Sequence, residues 1–263
     1  MTMIEWNASP EIFSFGPIHL RWYGLLFALG FVFSYILGRK IYRDHQLRIE
    51  ALDSMLVHSI IGTIVGARLV HCLFYEPDYY LSNPLSILKV WEGGLASHGA
   101  ILGIVTGMWV FARKQKKIGF WWSVDFVSVV GPIAGAFIRL GNLMNSEIYG
   151  KPTGSDWGFV FLRLQETPTA RHPTMLYESA VYFLLAGIMW IYYRKRDDLG
   201  SRGAFGLMLL IAFSLRFVIE FFKENQEAFD LALPINMGQI LSLPFIILGA
   251  SLFILSWKGK PSK

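Results

Sequence analysis

Seven stretches of mostly apolar residues divide the chain, at 18–38, 54–75, 94–112, 121–143, 174–193, 203–222 and 236–256. Each is close to the roughly 20 residues that an α-helix needs to cross about 30 Å of hydrocarbon. A backbone in lipid must satisfy its own hydrogen bonds, so segments of this kind fold as helices and pack into a bundle. The expectation is an all-α membrane protein of seven transmembrane helices, forming a single integral membrane domain over residues 1–263.

Composition agrees with that reading. Hydrophobic residues make up 54% of the chain, charged residues 16%, and the mean hydropathy is +0.43, outside the range of soluble domains. A net charge of +5 raises the question of nucleic-acid binding, but the basic residues sit in short clusters between apolar segments. Those clusters are Arg39, Lys40, Arg43 and Arg48; Arg113, Lys114, Lys116 and Lys117; Arg194, Lys195, Arg196 and Arg202; and Lys258, Lys260 and Lys263. With alternating helices all four fall on one side and hold 15 of the 24 Lys and Arg residues. The positive-inside rule then puts the N-terminus outside and the C-terminus in the cytoplasm, with no role for nucleic acid. Met1 to Pro17 has no basic leader and no short apolar core, and reads as no cleaved signal peptide. The lone cysteine, Cys72, allows neither a disulfide nor a thiolate metal site and reads as a small buried hydrophobe.

Two of the outside connections are long. Residues 144–173, rich in Gly, Pro and Thr and carrying Trp157, Phe159 and Phe161, are expected to fold as a small extracytoplasmic cap. Residues 76–93 contain Tyr79 and Tyr80, suited to the headgroup level. In the third apolar stretch Gly99, Gly103 and Gly107 recur every four residues, a spacing that favours close helix packing.

Polar side chains inside apolar spans are costly and mark function. The clearest group is Arg139-Leu-Gly-Asn142-Leu-Met-Asn145-Ser-Glu147-Ile-Tyr-Gly150, which follows the apolar run from Val124 to Ile138. At helical spacing Arg139 and Asn142 share a face with Asn145 nearly aligned, so their donors can converge on one anion while Glu147 holds them. A structural Arg–Glu pair closing the helix is the competing reading. Arg216 and Glu220, four residues apart among aromatics, are either a second cationic arm or a simple intrahelical ion pair; two arginines together favour a bidentate grip on phosphate. His98, beside Gly93, Gly94 and Gly99, suits proton transfer or a packed hydrogen bond. Tyr23 either lends a hydroxyl or anchors the first helix. Arg68, His71, Asp125, His172, Tyr177 and Glu178 read as mostly structural, with Arg68 and Asp125 a buried pair and His172 to Glu178 the polar start of the fifth helix. No HExxH, GxSxG or P-loop motif with suitable flanks is present.

The segment from Arg139 to Gly150 resembles the signature of the prolipoprotein diacylglyceryl transferases. The resemblance extends through Arg21-Trp22-Tyr23-Gly24-Leu25, Gly66-Ala67-Arg68, Gly93-Gly94 to His98-Gly99, His172-Pro173 with Leu176-Tyr177-Glu178, Arg216 to Phe222, and Gly238-Gln239. Three positions depart from the family's usual pattern: Ile138 stands for Gly, Leu143 for Phe, and Lys223 for Arg.

The resemblance implies an enzyme of the bacterial cytoplasmic membrane. It would transfer the diacylglyceryl group of phosphatidylglycerol to the lipobox cysteine thiol of a prelipoprotein signal peptide and release glycerol 1-phosphate, with no cofactor or metal. His98 would then be the base that takes the thiol proton, while Arg139 and Arg216 stabilise the departing phosphate. Asn142, Asn145, Tyr23 and Gly99 would bind the headgroup, and Glu147, Gly150 and Glu220 would support the arginines. Lys223 keeps a charge but loses the planar fork of Arg, which weakens any auxiliary phosphate contact there. A transporter of an anionic solute is the alternative, since inward-facing Arg and His also line transport paths; the absence of matching internal halves counts against it. An intramembrane protease built on Ser97 and His98 is weaker still, because adjacent helical residues do not face each other.

Overall fold

The computed structural model describes residues 3–16, 18–90, 94, 96–163, 169–224 and 236–258, with the backbone alone at Ile18, Ser97, His98, Ile101 and Lys258. Eight α-helices dominate the described residues: α1 (Trp22–Asp44), α2 (Ile49–Phe74), the short α3 (Pro77–Ser82), α4 (Ser97–Lys114), α5 (Phe120–Asn145), α6 (Thr174–Arg196), α7 (Gly203–Ile219) and α8 (Met237–Lys258). Six segments are long and apolar enough to cross a membrane: α1, α2, α5, α6, α8, and α7 extended to Phe222. The outer faces of these helices carry exposed Phe, Leu, Ile and Val side chains, as lipid-facing surfaces do. α4 is not among the six; its three glycines and its polar ends dilute its apolar character.

The chain is not wholly helical. The described residues include four short strands: β1 (Met3–Trp6), β2 (Glu11–Phe15), β3 (Ile18–Arg21) and β4 (Gly158–Phe161). β2 and β3 form an antiparallel hairpin, so residues 18–21, expected to open the first helix, are extended and α1 begins only at Trp22. β1 pairs in parallel with β4, joining the N-terminus to the connection between α5 and α6. The strands escaped notice in the sequence because each is only four or five residues long and β2 and β3 border an apolar run, where helix is the default expectation.

The described structure divides into two units, residues 1–37 with 125–263, and residues 38–124. In the smaller unit α2 and α4 meet along a seam of glycines. A Cβ on Gly66 would meet the Cα of Gly103 at 2.7 Å, and one on Gly62 would meet the carbonyl carbon of Gly103 at 3.0 Å. The four-residue glycine spacing on α4 therefore does what it predicts, and its partner is the Gly62/Gly66 pair on α2. Arg68 secures the following loop by donating to the carbonyls of Ser86 (2.6 Å), Ile87 (2.9 Å) and Gly94 (3.3 Å), with its guanidinium over Tyr80. Cys72 is fully buried.

The larger unit holds the end of α5 in place. Ser34 of α1 donates to the Val130 carbonyl and Ser179 of α6 to the Ala136 carbonyl, both on α5. Asp125, expected to pair with Arg68, instead accepts three backbone N–H groups, from Gly200, Arg202 and Phe205, each at 2.8 Å. The N–H groups of Arg202 and Phe205 are donors that the start of α7 leaves without intrahelical partners, and that of Gly200 belongs to the turn before it, so a buried carboxylate on one helix caps another.

Candidate active site

At its C-terminal end α5 runs into an unusual turn. Ser146 (φ 56°) and Ile148 (φ 61°) both lie in the left-handed region. For a β-branched residue such as Ile148 that conformation is strained, and strain of this kind persists where the surroundings enforce it. Here the Thr174 hydroxyl donates to the Ile148 carbonyl at 2.8 Å, and the Glu147 N–H bonds back to the Asn142 carbonyl. The turn folds Glu147 back beneath the helix, where its Oε1 accepts from Asn142 Nδ2 (2.7 Å) and Asn145 Nδ2 (3.2 Å). The amides that the sequence aimed at an anion thus meet on the carboxylate of Glu147.

Arg139 donates through Nη1 to Asn142 Oδ1 at 3.1 Å, so Glu147 reaches Arg139 only through Asn142. The carboxylate directly against Arg139 is Glu178 of α6, whose Oε2 lies 2.8 Å from Nε. The other oxygen of Glu178 is 2.6 Å from Lys223 Nζ, and Lys223 is 3.8 Å from Glu220 Oε2. Glu220 in turn lies 3.6 Å from Arg216 Nη2. Arg139, Glu178, Lys223, Glu220 and Arg216 therefore form an unbroken chain of alternating charge across α5, α6, α7 and the 3₁₀ turn Glu220–Phe222. Oε2 of Glu178 and Oε2 of Glu220 are buried without an aligned hydrogen-bond donor among the described residues, so their contacts are ionic rather than hydrogen-bonded despite the short Arg139 distance.

Burial separates the two arginines. The Arg139 side chain is 18% exposed and that of Arg216 is 38% exposed. Arg139 is oriented by Asn142 and Glu178, whereas among the described residues Arg216 has the long contact to Glu220 and keeps more of its fork open. A guanidinium carries five N–H donors, so both retain capacity for an incoming anion.

Glycines shape the walls. A Cβ on Gly150 would meet Thr174 Cγ2 at 2.7 Å and His172 Cβ at 2.8 Å, and this closeness lets the Lys151 N–H bond the Phe222 carbonyl at 2.8 Å. A Cβ on Gly238 would meet Glu220 Cγ at 2.9 Å. Beside it, Asn236 and Gln239 cap the start of α8 reciprocally, Asn236 Oδ1 accepting from the Gln239 N–H (2.9 Å) and Gln239 Oε1 from the Asn236 N–H (3.1 Å). The ring of Tyr23 lies against Gly141, where an added Cβ would stand 2.8 Å from Cδ2, close enough to feel the charges of Arg139 and Glu147.

On the cap side, His172 is wedged between Trp157 and Phe222, each ring centroid 5.0 Å away, with Nδ1 3.1 Å from the Tyr177 hydroxyl. Burial pushes the His172 imidazole below its ordinary value. Trp6 of β1 donates to the Leu143 carbonyl and joins Tyr149, Phe159 and Leu176 around the buried cluster of Leu143, Phe161 and Met175. The side chain of His98 lies outside the described residues. A Cβ on Gly99, its neighbour, would meet Val70 Cβ at 2.7 Å and the Gly66 carbonyl carbon at 2.8 Å, both on α2 within the smaller unit.

The structure thus joins Arg139, Asn142, Asn145, Glu147, Gly150, Arg216, Glu220 and Tyr23 into one region of the larger unit. Sequence reasoning set Glu178 among the structural residues and gave Lys223 only a weakened contact, although both sit at the centre of the charge chain. The signal for both was the cost of a charge at membrane depth, which demands a partner.

Fold and site together define a polytopic membrane protein built around a buried arginine–carboxylate network. The sequence model of the family described as prolipoprotein diacylglyceryl transferase matches residues 10–255. The chain belongs to that family. It is 45% identical over 258 residues to the phosphatidylglycerol–prolipoprotein diacylglyceryl transferase of Tolumonas auensis, covering 98% of this chain and 99% of that one. A protein of the same name from Chloroherpeton thalassium is 44% identical, covering 97% of this chain and 95% of its own, and one from Bacteroides fragilis is 42% identical, covering 99% and 98%.

Proposed function

We propose that this protein carries out the reaction named for its relatives on the network around Arg139 and Arg216. It transfers the diacylglyceryl group of phosphatidylglycerol to a prolipoprotein. The acceptor is the thiol of a lipobox cysteine in the signal peptide, and the product left behind is glycerol 1-phosphate. The single observation that carries the site assignment is the unbroken ionic chain linking the two arginines.

In this reading the cysteine sulfur attacks the glycerol carbon that bears the phosphate, forming a thioether. The carbon–oxygen bond breaks, and its electrons leave with the phosphate oxygen. A free thiol with a pKa near 8.5 is mostly protonated at neutral pH, so a base raises the thiolate fraction; His98 is assigned that proton. Arg139 and Arg216 receive the growing negative charge where little water competes, which is where fixed donors stabilise most. Asn142, Asn145, Tyr23 and Gly99 contribute to the headgroup site. Glu147 holds the two amides, Gly150 lets the Phe222 backbone approach, and Glu178 and Glu220 orient the arginines.

The architecture that goes with this reading has seven transmembrane helices, with α4 added to the six apolar ones. The N-terminus and the 144–173 cap face outward and the C-terminus lies in the cytoplasm of a bacterium, so the site meets exported signal peptides and lipid headgroups together. Basic clusters at the ends of α1, α4 and α6 support this orientation. All 263 residues form one integral membrane domain. Neither the family nor the relatives support the anion-transport alternative.

The test is incubation of the purified protein with labelled phosphatidylglycerol and a lipobox peptide, beside the same peptide with Cys→Ser. Label on the cysteine peptide alone is expected. Label on both or on neither defeats the assignment.

A further inference from the structure

Lys223 differs from the other cations of the site in having no exposed face. Its side chain is 5% exposed, and its ammonium lies between carboxylates on two different elements, Glu178 on α6 and Glu220 at the end of α7. Its backbone is pinned as well. Lys223 forms an isolated antiparallel bridge with Gly150, the Lys151 N–H bonds the Phe222 carbonyl, and the Lys223 N–H bonds the Glu220 carbonyl. The ammonium is therefore delivered to one place by a held main chain.

We propose that Lys223 is a positioning residue that couples Arg139 to Arg216, holding Glu178 and Glu220 so that each carboxylate turns its arginine toward the same anion. The inference deepens the proposed transferase reaction and rests on it. An ammonium is a compact point charge whose three donors can serve two carboxylates at once. Lys223 is thus occupied by protein carboxylates and does not itself grip phosphate. The charge count agrees: Glu147, Glu178 and Glu220 balance Arg139, Lys223 and Arg216. Without Lys223, Glu178 Oε1 loses its ammonium and the Oε2 atoms of Glu178 and Glu220 already lack aligned donors, so among the described residues the two arginines are the cations left beside them. An uncompensated buried carboxylate is strongly unfavourable. Each would draw its guanidinium inward, away from the leaving phosphate.

The test compares Lys223→Met, Lys223→Arg, Glu178→Gln and the double variant Lys223→Met/Glu178→Gln, using full-length protein with labelled phosphatidylglycerol and the cysteine peptide. Lys223→Met should lower kcat about tenfold or more while KM for phosphatidylglycerol stays within about twofold, the signature of a lost transition-state interaction. Lys223→Arg should recover most of the rate. The double variant should lose less than the product of the two single losses, because the two substitutions share the Lys223–Glu178 contact. The proposal is overturned if Lys223→Met raises KM at unchanged kcat, which marks a direct phosphate contact, if the two losses multiply, or if Lys223→Met turns over normally. Should Lys223→Met fail to fold, Lys223→Gln, which keeps a donor without the charge, carries the same cycle with the same expected and overturning results. Inactivity of the unsubstituted protein would defeat the transferase reading instead, so the two failures are told apart.

Discussion

The α2/α4 seam and the charge chain around Lys223 answer the same physical demand in opposite ways. In the seam the sequence removes side chains: Gly62 and Gly66 face Gly99, Gly103 and Gly107, and backbone packs on backbone with no charge involved. In the chain it adds charged side chains and satisfies them with each other, leaving Glu178, Glu220 and Lys223 almost wholly buried. Lipid offers neither a hydrophobic drive between helices nor hydrogen bonds, so close packing and paired charge are the available means of association. They differ in what they leave over. The seam is closed by its own geometry, whereas Arg139 and Arg216 keep donors and can take up a further anion. Stability and chemistry therefore reside in different kinds of contact, and substitutions can separate them.

The largest effect is expected at the arginines. Arg139→Ala and Arg216→Ala should each lower transfer by at least about two to three powers of ten, as loss of a fixed donor to a developing oxyanion does. Both variants should still purify from the membrane as folded protein. Turnover near normal by either would break the phosphate assignment. Gly62→Leu tests the other side. Its side chain would run into the Gly103 backbone and the Gly107 Cα, and overpacking of this kind costs about 3 kcal/mol. A clearly lower thermal midpoint in detergent is expected, with a loss of turnover per folded molecule far smaller than in Arg139→Ala. A Gly62→Leu protein that melts normally but fails in turnover would undo the contrast between the two regions.

The contrast also explains what could be read in advance. Glycine spacing on α4 is a local pattern, so the seam was half visible from Gly99, Gly103 and Gly107; its partner on α2 has the same spacing in Gly62 and Gly66 but sits in a helix with no other cue. Arg139, Asn142 and Glu147 are neighbours in sequence, and their contacts followed from helical periodicity. Glu178 and Lys223 lie 39 and 84 residues beyond Arg139, and no local rule says which distant carboxylate meets which cation. That is why the expectation that Glu147 holds the array finds it on Asn142 and Asn145, while the carboxylate against Arg139 itself is the distant Glu178. Asp125 shows the same limit from the other direction: the demand for a partner was legible, but three backbone amides meet it rather than Arg68. The strands β1 and β4 depend on pairing across about 150 residues, which periodicity does not reveal.

A smaller effect is expected where a glycine serves the charge chain. A methyl group on Gly238 would meet Glu220 Cγ and Oε1 at 2.9 and 2.6 Å, moving that carboxylate relative to Arg216 and Lys223. Gly238→Ala should slow transfer by about tenfold to a hundredfold, the range that a misplacement of order 1 Å produces. The thermal midpoint should move far less than in Gly62→Leu, since one flexible carboxylate rather than a backbone must shift. A large loss of midpoint with normal turnover would assign Gly238 to packing and narrow the difference between the two regions.

The smallest effect concerns His172, where an aromatic wedge stands beside the charged site without belonging to it. Burial between Trp157 and Phe222 holds its folded-state pKa below the ordinary value near 6.5. The sign follows from proton counts. Below about pH 6.5 the unfolded chain protonates this imidazole while the folded chain resists, so the unfolded state binds more protons and stability drops as the pH is lowered. His172 thus contributes stability that is complete above its unfolded pKa and is lost as pH falls through its depressed folded value. The thermal midpoint in detergent should decline more steeply below about pH 6.5 in the parent protein than in His172→Gln, which has no proton to take up. Turnover should follow that decline only where the protein begins to unfold, because the wedge touches no reacting group. Equal slopes for the two proteins would show that His172 titrates normally, and the wedge would then be packing without electrostatic consequence.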